Sequence, residues 1–277
     1  MRAANLHRHL FTALVALAGF VSFPAATHAG HSWGGYHWAR ADNPVELILG
    51  DNVSQAWDEY LATASIEWNR SIVLHTKIVA GAVKPRTCKP AAGRIEVCSA
   101  KYGFNGWLGL AQIWVSGTHI TRGATKLNDS YFETAAYDTQ GWRNLVMCQE
   151  IGHTFGLDHQ DENFSNANLG TCMDYTSNPD GPPKNWYPNA HDYNQLEAIY
   201  AHLDDAGSLA QAAASGRATA PGGDEPLEAG IAQWGKLVRS TNRGRTELFE
   251  LDLGAGQKVF TFVIWAEPHA EQGRRQR

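Results

Sequence analysis

Apolar and polar residues alternate in patterns that predict several strands and helices in the central part of the chain. Between residues 53 and 70, apolar side chains recur at helical spacing. β-favouring stretches flank this helix at residues 45–49 and 71–79. Two more β-favouring stretches, residues 107–115 and 118–126, meet across a Ser-Gly pair. This order of strands around a helix predicts an α+β region.

The second half of the chain contains two further helical patterns and a β-rich end. Residues 142–157 and 192–203 each place apolar side chains on the packing side of a helix. Residues 206–223 are rich in Ala, Ser, Gly and Pro, a composition typical of a linker. Three strand-like stretches separated by Gly-containing turns then predict a small β meander, at residues 234–239, 246–251 and 258–265.

The first 29 residues are typical of a secretory signal. Arg2 and Arg8 precede apolar residues 11–23, and a small-residue cleavage site ends at Ala29. The apolar stretch is too short to span a bilayer. Its removal would take away two arginines and no acid, which changes the net charge from −5 to −7. We expect an acidic protein, secreted to the exterior or the periplasm, with no electrostatic attraction to nucleic acid.

The clearest chemistry lies in the stretch Cys-Gln-Glu-Ile-Gly-His-Thr-Phe-Gly-Leu-Asp-His, which begins at Cys148. Residues four apart lie on one face of a helix, so Gln149 and His153 point toward the same place. Glu150 lies three residues before His153, so its side chain lies beside that place. This position suits a carboxylate that holds a water molecule near a metal without binding the metal.

The stretch ends with a second histidine after a glycine. Gly156 allows the chain to leave the helix, because glycine reaches left-handed φ and ψ without strain. The turn brings His159 back toward His153. A zinc site with three protein ligands leaves the fourth position for water, which is the catalytic arrangement.

The stretch matches the extended zinc signature H-E-x-x-H-x-x-G-x-x-H at every position but the first, where Gln149 replaces His. Metzincins also place a Met-containing turn under the metal, and residues 171–175, Thr-Cys-Met-Asp-Tyr, fit that turn. The chain therefore resembles a metzincin metallopeptidase of the matrixin or astacin type over roughly residues 36–203. Met173 followed by Tyr175 resembles the turn of astacins and serralysins, where the Tyr contacts the metal or the oxyanion.

This resemblance implies an α+β catalytic domain at residues 30–205, built from a twisted mixed sheet, a metal-site helix and a C-terminal helix. Residues 206–225 would then be a linker, and residues 226–277 a small C-terminal β meander. The implied function is a secreted zinc endopeptidase that acts on peptide or protein substrates. We expect a monomer without a membrane span.

The implied site holds one catalytic zinc through Gln149, His153 and His159. Glu150 would be the general base, and Tyr175 would donate a hydrogen bond to the oxyanion. An amide oxygen is a poorer zinc ligand than imidazole, so three interpretations stay open. Gln149 ligates weakly, another residue or water completes the site, or the site has lost catalysis.

Two alternatives to these assignments depend on nearby residues. His191 is the first candidate for a replacement ligand, although a capping or surface role is typical of such a position. Asp158, Asp161 and Glu162 form an acidic group that would bind Ca²⁺ or else lie solvated on the surface.

All four cysteines lie in the exported part, and an even count in an oxidising compartment suggests two disulfides. A Cys88–Cys98 bridge would close a small loop. If the Met-containing turn lies under the metal, as the resemblance implies, Cys148 and Cys172 would meet in a second bridge. A cysteine zinc ligand is the alternative for either member of that second pair.

Substrate binding in metzincins uses an open strand before the metal helix, to which a peptide adds as an antiparallel strand. Residues 108–114 are the candidate for this edge, with an ordinary core strand as the alternative. A second function class is a catalytically weak or inactive peptide-binding module that uses the same edge. A third, a sugar-binding or surface-binding β protein, depends only on the C-terminal meander.

Overall fold

The computed structural model describes residues 30–164, 166–217, 233–241 and 246–266. The described residues from His31 onward belong to one compact unit. The predicted signal segment and the Arg-rich end of the sequence lie outside the described residues. Within the part that is described, no helix combines the length and the apolar character needed to cross a bilayer.

Nine strands of the described residues form one mixed sheet. They are β1 (His37–Trp38), β2 (Val45–Asn52), β3 (Leu74–Ala80), β4 (Ile95–Ala100), β5 (Trp107–Ser116), β6 (His119–Asn128), β7 (Lys236–Thr241), β8 (Thr246–Gly254) and β9 (Gln257–Trp265). Their order is β3-β2-β4-β6-β5-β9-β8-β7, and β1 pairs with β6 outside this path. The β3-β2-β4-β6 half is parallel, whereas β5, β9, β8 and β7 run antiparallel to their neighbours.

The helices pack mainly beside the parallel half of the sheet. They are α1 (Asp58–Trp68), α2 (Asp129–Phe132), α3 (Gln140–His153), α4 (Ala190–Ile199) and α5 (Ala206–Arg217). The largest core cluster lies between α1, α3 and the sheet, where Trp68 and Ile151 are fully buried. Trp68 Nε1 also donates to the carbonyl oxygen of Cys148 (3.2 Å), which ties α1 to α3. The predicted α+β class with a mixed sheet is confirmed.

Strand β5 is an interior strand, and all of its ten positions are buried. On one face, Leu108 and Ile113 join the main core. On the other face, Leu110 packs in a separate cluster with Trp234 and Phe249. The prediction that residues 108–114 form an open edge is wrong, because β9 pairs antiparallel along the whole of β5.

The structure also differs from the predicted linker. Residues Ala206–Arg217 form helix α5. The guanidinium of Arg122 on β6 donates to the carbonyl oxygen of Gly216 from both Nε (3.0 Å) and Nη2 (2.8 Å), which fixes the end of this helix against the sheet. Alanine has the highest helix propensity, so the Ala-rich composition that suggested a linker also permits a helix.

Candidate metal centre

Helix α3 carries the predicted site between a capped start and a glycine-dependent end. The hydroxyl of Thr139 accepts a backbone N–H of the first turn (3.2 Å), which satisfies one unpaired donor. After His153 the chain turns at Gly156, where φ is +97°. A Cβ there would lie 2.1 Å from the carbonyl oxygen of Tyr36, so a side chain is excluded. The turn directs His159 back to the end of the helix.

The structure brings the two predicted histidine ligands together. Nε2 of His153 lies 3.0 Å from Nε2 of His159. Nδ1 of His153 lies 2.9 Å from the carbonyl oxygen of Leu157, and because a carbonyl only accepts, Nδ1 carries the proton. Nδ1 of His159 faces Oδ1 of Asp158 at 3.4 Å. Nε2 of His153 therefore directs a lone pair toward Nε2 of His159, and the two atoms are within hydrogen-bond distance.

Burial keeps these two imidazoles in the form that binds metals. Desolvation lowers the pKa of His153 well below its usual value, and it also lowers the pKa of His159. Neutral imidazole is the metal-binding form. A cation between the two Nε2 atoms would be bound by both rings once His159 carries its proton on Nδ1, which faces Asp158.

Gln149 presents its amide oxygen one turn before His153. Its Nε2 donates to the carbonyl oxygen of Cys172 (2.6 Å), which settles the orientation of the amide group. Oε1 is then buried and has no hydrogen-bond partner in the part of the chain that the structure describes. A buried polar atom without a partner is costly and calls for a ligand or ion.

Glu150 is completely buried, and neither of its carboxylate oxygens finds a partner within the described ranges. Burial raises the pKa of Glu150 well above its usual value. Strand β5 makes room for this side chain at Gly109. A Cβ there would lie 3.1 Å from Oε1 of Glu150 and 2.6 Å from Cγ1 of Val146. The glycine inside β5 therefore marks the close approach of helix and strand.

The Met-containing turn lies against the same helix. A Cβ at Gly152 would lie 2.7 Å from Sδ of Met173, so α3 and the turn are in close contact. The ring of Tyr175 packs on the ring of His159 with centroids 4.0 Å apart. Its hydroxyl is buried without a partner among the described residues. Burial raises the pKa of Tyr175, so the phenol stays protonated and is able to donate.

Both predicted disulfides are confirmed. Cys88 pairs with Cys98 beside β4, and Cys148 pairs with Cys172. The second bridge joins α3 directly to the Met-containing turn, so the two parts of the candidate site are covalently linked. The alternative of a cysteine zinc ligand does not apply, because no described cysteine is free.

A partly buried ion pair lies next to the histidines. Both terminal nitrogens of Arg239 on β7 lie 2.5 Å from the carboxylate oxygens of Asp158. Burial on its own would raise the pKa of Asp158, but hydrogen bonds and charges from His159 and Arg239 lower it well below its usual value. The ionised carboxylate then holds His159 in its ligand orientation.

The C-terminal meander covers the histidine pair. The ring of Phe262 on β9 is parallel to the ring of His153, with centroids 4.1 Å apart. Trp33 packs edge-on against Phe262 at 4.5 Å and against Phe260 at 4.7 Å. Strand β9 thus pairs with the edge of β5 that would otherwise be open, and it separates the histidine pair from solvent.

These groups fit a zinc ion. The site offers two neutral imidazole nitrogens and one unpaired amide oxygen, and zinc accepts nitrogen and oxygen donors. The second nitrogen of each imidazole faces an oxygen, as is usual for metal-ligating histidines.

Of the two other predicted contributors, His191 lies elsewhere, whereas the acidic group lies beside His159. His191 stacks on His31, with ring centroids 4.8 Å apart, and forms a separate group with Asp192. Asp158 contacts Arg239, and Glu162 lies 3.6 Å from the same guanidinium. The Ca²⁺ assignment stays a prediction.

Sequence reasoning missed the residues that reach the site from a distance. Phe262, Arg239 and Trp33 come from the two ends of the described chain, and no local pattern connects them with residues 149–159. Gly109 carried a usable signal, because an isolated glycine inside a strand often marks a close approach of another segment.

Comparison with known proteins finds matches among solved structures only. No protein-family model matches the chain. No curated protein matches it either. Among 17 matching chains of solved structures is myroilysin, at 12% identity and a TM-score of 0.35, covering 60% of this chain and 97% of that one. Another is high choriolytic enzyme 1, a hatching enzyme zinc-protease from Oryzias latipes (medaka fish), at 12% identity and a TM-score of 0.30, covering 60% and 94%.

Proposed function

We propose that the chain is a secreted zinc-dependent endopeptidase. The observation that carries this proposal is the approach of Nε2 of His153 to Nε2 of His159, 3.0 Å apart, with the carboxylate of Glu150 one turn before His153 on α3. A purely structural helix has no use for an unpaired, fully buried Glu150. Such a group is costly unless a ligand or a reaction needs it.

In this proposal, His153, His159 and the Oε1 of Gln149 hold the zinc. The bound metal would supply Lewis acidity, which polarises a carbonyl and acidifies a water molecule. A cation at this place would favour the ionised form of Glu150, which would accept a proton from a water molecule and pass it to the leaving amine. The buried hydroxyl of Tyr175 donates to the oxyanion.

Two structural supports keep this arrangement in place. The hydrogen bond from Gln149 to the carbonyl oxygen of Cys172 holds the amide oxygen toward the metal position. The Cys148–Cys172 bridge keeps that carbonyl beside α3. Catalysis requires such preorganisation, because a reaction is slower when its catalytic groups must first move into place.

We infer that the described arrangement is a closed form of the enzyme. A peptide would add to β5 as an antiparallel strand, and β9 occupies that position in this structure. The ring of Phe262 covers His153. Substrate access therefore requires β9 to separate from β5, at least around Phe262.

The test compares hydrolysis by the full chain with that of Glu150→Gln, using an unstructured protein substrate and mass spectrometry of the products. We expect Glu150→Gln to lower the rate by about 10²-fold or more, the usual contribution of a general base, with the zinc content unchanged. Glu133→Gln is the matched control, because Glu133 is exposed and pairs with Lys101. Equal rates for the wild type and Glu150→Gln would overturn the proposal.

A second candidate function, a peptide-binding module without catalysis, is favoured by one observation. Strand β9 pairs with β5 over its full length, and this pairing supports the proposal that β5 holds an extended segment. A peptide with the sequence of residues 257–265 would then bind to a variant with weakened β9 contacts, such as Phe262→Ala. Binding of that peptide with no hydrolysis by either protein would favour the module over the enzyme.

A further inference from the structure

A second group of histidines converges on one carboxylate away from α3. His37 on β1 and His119 at the start of β6 are direct partners in the parallel β1–β6 pairing. His202 and Asp204 follow the end of α4. Three segments that are far apart in the sequence therefore meet at this point, which we name the Asp204 cluster: His37, His119, His202 and Asp204.

All three imidazoles point the same nitrogen at the same oxygen. The distance from Asp204 Oδ1 to Nε2 is 2.8 Å for His119, 3.5 Å for His37 and 3.7 Å for His202. The ring of His37 lies 4.9 Å from that of His119 and 4.8 Å from that of His202, at steep angles to both. In a tetrahedral zinc site with ligand distances near 2.0–2.2 Å, neighbouring ligand atoms are about 3.3–3.6 Å apart. The distances from Asp204 to His37 and His202 are close to that value, whereas His119 lies at hydrogen-bond distance from Asp204.

The orientation of His37 is fixed in the manner of a metal ligand. Its Nδ1 lies 3.0 Å from the carbonyl oxygen of Gly35, so Nδ1 carries the proton when the ring is neutral. Nε2 then directs a lone pair toward Asp204, and it is buried without a hydrogen-bond partner among the residues described. The side chain of His37 is only 4% exposed. A buried lone pair that faces a carboxylate is unfavourable unless a cation lies between them.

Asp204 is held in the same way. Its Oδ2 accepts the backbone N–H of Arg40 at 3.0 Å. This contact leaves Oδ1 to face the three imidazoles. A second contact that orients each ligand is the usual support of a protein metal site.

We propose that the Asp204 cluster is a second zinc site, structural in role, with His37, His119, His202 and Asp204 as its four ligands. Three imidazoles and one carboxylate suit zinc and exclude Ca²⁺ and Mg²⁺, which prefer oxygen donors. Four protein ligands leave no position for substrate or water. The ion would fasten β1 and the segment after α4 to the β5–β6 turn. The proposal is independent of peptidase activity.

The experiment counts zinc per chain in the full-length protein after loading with Zn²⁺ and removal of excess, by elemental analysis. We expect two equivalents in the wild type, one in His119→Gln, and one in the double variant His153→Gln, His159→Gln. Combining all three substitutions should leave none. Because each cluster is removed separately, failure of this site is distinguishable from failure of the proposed catalytic site.

Two controls keep the result decisive. His75→Gln changes an exposed histidine that pairs only with Glu46, and it should retain both equivalents. If His119→Gln does not fold, His202→Ala provides the same measurement from an exposed position, and Co²⁺ loading reports tetrahedral coordination by its visible absorption. Equal zinc content in wild type, His119→Gln and His202→Ala would overturn the proposal, since the cluster would then be a hydrogen-bonded group only.

Discussion

His153 and His159, the α3 pair, lie at the end of α3 and just after it. The α3 pair and the Asp204 cluster have similar ligand chemistry, but they are assembled from different parts of the chain. The pair comes from one short stretch, residues 149–159, and is closed from solvent by β9. The Asp204 cluster comes from three distant segments, and the side chain of His202 is 59% exposed. A local motif can therefore be read from its spacing, whereas an assembled cluster depends on the sheet that brings its parts together. The same contrast predicts different behaviour toward metals and mutations.

The largest effect is expected at Phe262, whose ring covers His153 of the α3 pair. Phe262→Ala should lower the free energy of unfolding by about 3–5 kcal/mol, as for other buried Phe→Ala changes, and should accelerate zinc exchange at the α3 pair. Urea unfolding and loss of zinc to a chelator measure the two effects. Phe249→Ala removes the same volume from the cluster on the other sheet face, so it should cost similar stability without faster exchange. Equal exchange rates in both variants would contradict a covering role for Phe262.

The next effect concerns the bridge between α3 and the Met-containing turn. Replacing Cys148 and Cys172 by Ala should cost about 2–4 kcal/mol and weaken zinc binding by the α3 pair, with the Asp204 cluster unaffected. Thermal unfolding and zinc titration provide the readouts. Replacing Cys88 and Cys98 by Ala is the control, since that bridge lies beside β4 and does not touch the pair. Equal loss of zinc affinity in both double variants would show that stability alone matters.

A smaller effect is expected from the ion pair beside His159. Arg239→Met removes the partner of Asp158 and should cost about 1–3 kcal/mol, because a largely buried carboxylate loses charged hydrogen bonds. A double-mutant cycle with Asp158→Asn measures how much of this loss belongs to the pair. Additive effects of the two substitutions would mean that the contact contributes nothing to stability.

The smallest effect on folding is expected at the exposed member of the Asp204 cluster. In the absence of zinc, His202→Ala should change the free energy of unfolding by no more than about 0.5 kcal/mol, as for other surface positions. With zinc present, the wild type should gain more thermal stability than the variant, because only its complete site binds the ion tightly. An identical zinc-dependent shift in melting temperature for both proteins would remove His202 from the ligand set.

The sequence predicted those features of the molecule that depend on residues close together in the chain. The turn at Gly156 and the return of His159 follow from spacing along a helix and from the need for glycine at a positive φ. The approach of Met173 to α3 was implied by the metzincin resemblance. The two disulfides were also predicted, and the second followed from the position of the Met-containing turn.

The features that sequence reasoning missed depend on contacts between residues far apart in the chain. The prediction of an open edge at β5 is wrong because the strand pattern of residues 258–265 does not say which strand it will pair with. The Asp204 cluster was missed for the same reason. His37 and His119 are close only because β1 lies parallel to β6, and a two-residue strand leaves almost no periodic signal.

The pairing of β5 with β9 has a consequence for the order in which the chain folds. Gln112 donates from its side chain to the hydroxyl of Thr261, a contact between residues 149 positions apart. Since synthesis proceeds from the N-terminus, β5 is made well before β9, and the edge of β5 that does not pair with β6 is open during that time. Exposed strands of this kind invite aggregation, and contacts of such long range form slowly. Rapid capture of β9 by β5 is therefore as much a requirement for soluble folding as for covering the histidines.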